Sequence, residues 1–110
     1  MDDPLLRPAN IFASIPENLE QEVLEQIVHA GQVRIERIIS RGQTSPESGW
    51  YDQDQGEWII LLKGGAVITF EDGSEVKLSA GDYTNLPAHT RHRVSWTDPG
   101  TETIWLAVHY

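Results

Sequence analysis

The chain has 110 residues, a size that fits one domain with a modest core. It carries 17 acidic residues against 8 basic ones, a formal net charge of −9, which repels phosphate backbones and argues against a nucleic-acid partner. It contains no cysteine, which excludes disulfide staples, thiolate metal sites and a cysteine nucleophile.

The first dozen residues, "MDDPLLRPANIF", read as an irregular lead-in without the basic patch and apolar core of a secretory leader. No apolar run reaches the roughly 18 residues needed to span a bilayer, so no membrane partner is expected and a cytoplasmic protein is the default reading. The stretch "SIPENLEQEVLEQIVHAG" predicts an α-helix. Ser14 and Glu17 form an S-x-x-E capping pattern, and Pro16 falls in the first turn. Leu19, Val23, Leu24, Ile27 and Val28 recur at helical spacing, and Gly31 stands where a helix would end.

Beyond Gly31 the texture changes to short strands and tight turns. "QVRIERIIS" alternates, with Val33, Ile35 and Ile39 marking a strand. "RGQTSPESG" is loop chemistry. "EWIILLK" is apolar almost throughout, which predicts a strand covered on both faces. "KGG" and "EDGS" are turns that lead into "AVITF" and "EVKLS". "YTNL", "HRVSW" and "TIWLAV" follow, separated by "PAHTR" and "TDPGTE". Strands at this spacing predict an antiparallel sandwich or barrel. Trp58, Trp96 and Trp105 lie in predicted strands and Trp50 in the loop ahead of one, where large rings fill cores or close barrel ends.

Two segments carry a more specific signal. Glu57, six residues and then Gly64 reproduce the end of the motif G(X)5HXH(X)3-4E(X)6G. Gly81, five residues, Pro87 and then His92 reproduce most of G(X)5PXG(X)2H(X)3N. With these, the chain resembles the cupin superfamily, and the pattern "WYDQDQGEW" with "GDYTNLPAHTRHRV" resembles small single-domain bacterial cupins. The resemblance implies an all-β jelly-roll barrel (double-stranded β-helix). To this the sequence adds one N-terminal α-helix packed outside, with residues 1–32 as lead-in and helix of the same domain and residues 33–110 as the barrel. It also implies pairing into homodimers through edge strands.

The resemblance places a divalent ion such as Zn, Fe, Mn or Ni between the two histidines of HXH, the glutamate and the second-motif histidine. Glu57 and His92 match such positions. The HXH pair does not: counting back from Glu57, it falls on Tyr51 and Gln53 or on Trp50 and Asp52. A strand sends residues i and i+2 to one face, so only one of these pairs looks inward. The expected metal donors are therefore His92, Glu57 and Gln53 or Asp52, with a small polar molecule as ligand. His89 stands where the motif has its second glycine, at the turn or the barrel rim. His89 and Tyr51 are candidates for moving a proton. Trp96 replaces the motif's asparagine, which narrows the cavity. His109, at the end of the last strand, is either a further inward donor or an interface residue. A metal-free barrel that binds a small ligand or serves as a partner module is the competing reading.

Overall fold

The computed structural model describes residues 7–46 and 48–110. They form eight strands: β1 (Val23–Ala30), β2 (Val33–Ser40), β3 (Glu57–Lys63), β4 (Gly65–Phe70), β5 (Glu75–Ser79), β6 (Tyr83–Leu86), β7 (His92–Thr97) and β8 (Thr103–His109). A five-stranded sheet has the order β1-β2-β8-β3-β6, and a three-stranded sheet has the order β5-β4-β7. The paired strands are antiparallel throughout, and the two sheets enclose the core between them, as the predicted barrel requires. No helix among the described residues is long and apolar enough to cross a membrane.

The predicted N-terminal helix does not form. Residues 15–22 are irregular, and Val23–Ala30 is an edge strand paired with β2 from Val23↔Ile39 to Ala30↔Val33. Three local features work against the helix. Ser14 adopts φ 56°, outside the extended conformation a helix N-cap takes. The carbonyls of Ile11, Ala13 and Ser14 accept hydrogen bonds from the Arg37 guanidinium. Gly31 does take a positive φ of 58°, but it opens a two-residue hairpin rather than ending a helix. Val23, Ile27 and Val28 are β-branched and suit a strand. The hairpin adds a full ladder to β2, a tertiary gain that outweighs intrinsic helix preference.

Alternation divides the five-stranded sheet into two faces. Glu57, Ile59 and Leu61 of β3 and Trp105, Ala107 and His109 of β8 point inward and are buried. The inner cluster comprises Ile59, Leu61, Ala66, Ile68, Leu78, Leu86, Trp105 and Ala107. A second, smaller cluster lies on the outer face, where Leu19 of the lead-in packs on Ile39 and Ile104. The expectation that β3 is covered on both faces holds only for part of its length: Trp58, Ile60 and Leu62 are half-buried. At the β3–β4 turn, Gly64 has φ 90°, and a Cβ there would stand 2.7 Å from the Thr103 Cα. The turn therefore requires glycine on two grounds.

Candidate functional site

A cavity of about 330 Å³ lies between the sheets. Its polar floor is assembled by strand register. Glu57 opens β3 and is the direct partner of His109 at the end of β8. His109 is in turn the partner of Arg34 on β2, two residues from Glu36. Direct partners on neighbouring antiparallel strands share a face, so these four side chains converge. His92 opens β7 on the opposite sheet and faces them. Glu36, Glu57, His92 and His109 are all buried, at 5–9% exposure.

The distances within this group are specific. His92 Nε2 stands 3.7 Å from Glu57 Oε1, and His109 Nε2 stands 3.6 Å from Glu57 Oε2. His109 Nε2 is also 3.4 Å from Glu36 Oε1, which accepts a hydrogen bond from Arg34 Nη1 at 3.1 Å. The imidazole–Glu57 separations exceed hydrogen-bond length. His92 Nδ1 donates to the Thr90 carbonyl at 2.7 Å, which fixes the ring and leaves Nε2 to face Glu57. His109 Nδ1 is buried without a partner in the structure. Burial of His92 opposes its charged form, but Glu57 and the Thr90 carbonyl favour it more, and the pKa is raised above its ordinary value.

The segment between β2 and β3 forms one wall of the cavity by zipping onto β7. Thr97 Oγ1 donates to the Gln43 carbonyl, and Ser45 N–H to the Val94 carbonyl. Tyr51 and His92 exchange both backbone hydrogen bonds. This bridge settles which pair looks inward. Tyr51 and Gln53 line the cavity, and the Tyr51 ring lies 5.7 Å from that of His92. Asp52 does not line it. Its carboxylate accepts from Arg91 Nε at 3.3 Å and lies 2.8 Å from His89 Nδ1, on the outside of the wall. His89 is likewise outside, 64% exposed at its side chain, with φ 63°. The position keeps the positive φ of the glycine it replaces. Its backbone N–H donates to the Gln53 carbonyl, which closes the clasp.

Of the expected site residues, the structure thus gathers His92, Glu57, Gln53 and Tyr51 around one cavity and leaves Asp52 and His89 outside. It adds Glu36 and Arg34, which sequence reading passed over. Val33, Ile35 and Ile39 marked β2 as a strand without fixing which side faces the cavity. The cavity side is Arg34, Glu36, Ile38 and Ser40. The only signal was the alternation itself, which fits either face equally well.

Among the described residues, no group of three or more His, Asp or Glu side chains stands close enough together to hold a metal ion as placed. The donor set nevertheless fits an ion in kind. Ligands of one ion with bonds of about 2.1 Å stand roughly 3.0–3.5 Å apart; the two imidazole–Glu57 separations, 3.6 and 3.7 Å, lie just beyond that range, and the His109–Glu36 separation of 3.4 Å lies within it. The bond from His92 Nδ1 to a backbone carbonyl is the support a metal-binding imidazole ordinarily receives.

The fold and this site define a small barrel with an acid–imidazole cavity between two antiparallel sheets. The chain belongs to the Cupin domain family, which matches residues 36–109. It is similar to the crystal structure of a "putative mannose-6-phosphate isomerase" from Ralstonia eutropha JMP134, at 42% identity over 94% of this chain and 96% of that one, with a TM-score of 0.89. A cupin superfamily protein from Desulfitobacterium hafniense DCB-2 shares the fold at 20% identity, 96% and 92% coverage and a TM-score of 0.77. An RmlC-like cupin with a double-stranded β-helix fold from Methanocaldococcus jannaschii does so at 19% identity, 87% and 85% coverage and a TM-score of 0.68. Among curated proteins none matches the chain.

Proposed function

We propose that the cavity binds a divalent metal ion through Glu57, His92 and His109, and a small polar molecule beside it. One observation carries this reading: a buried carboxylate is flanked by two imidazole Nε2 atoms at 3.6–3.7 Å, too far to satisfy one another by hydrogen bonds. A bound ion would supply Lewis-acid polarisation of the ligand. Ligation at His92 Nε2 requires the neutral ring, so binding competes with protons. Gln53 is a neutral donor on the wall, and the Tyr51 hydroxyl group is the candidate for holding or moving a proton. Asp52 has no part in the proposed donor set, because its carboxylate is engaged outside the wall.

The ligand class follows from charge. Glu22, Glu36 and Glu57 line the cavity, and the lining's one guanidinium, Arg34, is held by Glu36. Without an ion such a wall favours a neutral hydroxylated or a cationic molecule; with the ion bound, its own charge favours a neutral hydroxylated one. No side-chain cation of the lining is left uncommitted for the phosphate of the phosphosugar that the name of the Ralstonia protein suggests, so only the ion itself would hold that group. The open spacing of the donors supports a second reading, a metal-free binding module whose acid–imidazole groups contact the ligand directly.

Elemental analysis separates the two. Protein prepared without a histidine tag or chelator is expected to hold about one equivalent of ion per chain, lost in both His92→Ala and His109→Ala. A folded, metal-free native protein that takes up no added zinc, manganese, iron or nickel overturns the metal reading and leaves the second.

A further inference from the structure

The acidic side chains that line the cavity differ in what holds them. Glu57 lies between the His92 and His109 imidazoles, and Glu36 accepts from the Arg34 guanidinium. Glu22 has neither kind of partner. Val23 pairs with Ile39 on the outer side of the sheet and Leu24 with Ile38 on the cavity side. Strand alternation therefore turns Glu22, one residue ahead of β1, toward the cavity as well. Among the described residues no hydrogen bond or ion pair reaches its carboxylate, and burial alone pushes its pKa up. β1 is an edge strand of its sheet, and Leu24 is 60% exposed. Glu22, open to solvent on one side, thus stands at the mouth, while the buried Glu36, Glu57, His92 and His109 form the floor. A carboxylate partly stripped of water with no cation beside it costs the empty protein free energy that a cationic group on a ligand offsets.

We propose that Glu22 is a specificity-determining residue that pairs with an ammonium group at the outer end of the ligand, so that the cavity takes a hydroxylated primary amine of about sugar size. This deepens the reading of the cavity as the seat of a small polar molecule and rests on it. Floor and mouth make separate demands on such a ligand. A bound ion favours neutral hydroxyl groups at the floor. The mouth holds a carboxylate, no lysine lines the cavity, and the one guanidinium of the lining is committed to Glu36. An anionic outer end would meet Glu22 with nothing to balance the repulsion, and a neutral one would leave its carboxylate unpaired. An ammonium satisfies it, and Leu24 beside it offers an apolar flank to the carbons that carry the ammonium. The cavity volume of about 330 Å³ sets the size. It lies at the lower end of the roughly 300–1,000 Å³ of small-molecule pockets.

Isothermal titration calorimetry of the full chain with glucamine and with sorbitol at neutral pH tests this. The two probes share one hydroxylated chain and differ only in a terminal ammonium against a hydroxyl. Glucamine is expected to bind about tenfold more tightly than sorbitol, the lower end for a hydrogen bond to a charged group because the mouth is open to water. In Glu22→Gln that advantage is expected to vanish while sorbitol binds as before. The variant is expected to unfold on heating no earlier than the native chain, since an amide carries no charge to desolvate. Both probes are titrated into zinc-loaded and into chelator-treated protein, and the preference is expected in whichever form binds sorbitol. Equal affinities in the native chain, or a preference for glucamine that survives in Glu22→Gln, overturn the role of Glu22 and leave the cavity reading standing. Failure of both probes to bind at millimolar concentration in either form overturns the cavity reading with it.

Discussion

Arg37 shows how one side chain can decide the course of a segment. It is 7% exposed, binds Glu25 through Nε and Nη2, and donates to three carbonyls of the lead-in. A buried guanidinium is tolerated only when its donors are satisfied, and here Glu25 and three carbonyls of the lead-in satisfy them. Arg37→Ala is expected to cost about 2–4 kcal/mol in urea unfolding, because the carbonyls and Glu25 lose their partner together. Arg37→Lys is expected to recover only part of this, since an ammonium cannot span the same fork of acceptors. In the cavity the contrast between His92 and His109 is equally local. One ring is fixed by a carbonyl on Nδ1 and the other has that nitrogen free.

At the scale of elements, residues 43–46 and 48–53 line β7 as a wall that forms no strand of its own and meets it at the isolated Tyr51–His92 bridge. It closes the open edge of the three-stranded sheet through Gln43, Ser45 and Tyr51, and Arg93 stacks over Trp50 at 4.8 Å. Asp52 is its outer latch. The hydrogen bond with His89 is the main reason the Asp52 carboxyl is held below its usual value, with Arg91 adding to it. A folded-state pKa below the unfolded one gives stability that is present above the unfolded value, about 4, and is lost as pH falls through the folded value. The midpoint of thermal unfolding of Asp52→Asn should thus fall below that of the native chain at neutral pH, and the two should converge as pH drops well below 4. Equal midpoints at neutral pH would show that the latch does not hold the wall. The replaced helix belongs to the same scale. An apolar pattern of Leu19, Val23, Leu24, Ile27 and Val28 satisfies helical spacing, yet a hairpin at Gly31 satisfies the backbone of two strands at once.

For the whole molecule, the proposed ion would act on stability by mass action. A ligand at about 100 times its dissociation constant adds about 2.7 kcal/mol. Thermal unfolding of chelator-treated protein is therefore expected to shift upward with added divalent ion in the native chain and to stay unshifted in Glu57→Gln. A shift with ion that persists in Glu57→Gln would place the ion elsewhere on the molecule.

The strands from β2 to β8 were legible in the sequence because alternation and Gly-, Pro- and Asp-containing turns are local signals. Glu57 and His92 were legible for a different reason: they sit at motif spacing on either side of a turn-rich middle. Which of Tyr51, Asp52 and Gln53 faces the cavity was not, because a period of two permits both phases until a neighbouring strand fixes one. The backbone bridge between Tyr51 and His92 fixes it. Glu36 was obscured for the same reason, and His109 stayed open between an inward donor and an interface residue, since their strands alternate without revealing which side is inside.

By itself, then, the sequence determined the kind of fold, the turn positions and two of the buried polar residues, through short-range periodicity and spacing. Only the tertiary structure decided the phase of each strand, the fate of the N-terminal segment and the company Glu57 keeps. Those depend on pairings between residues distant in the chain, such as Glu57 with His109 and Val23 with Ile39, whose free energy no local window contains.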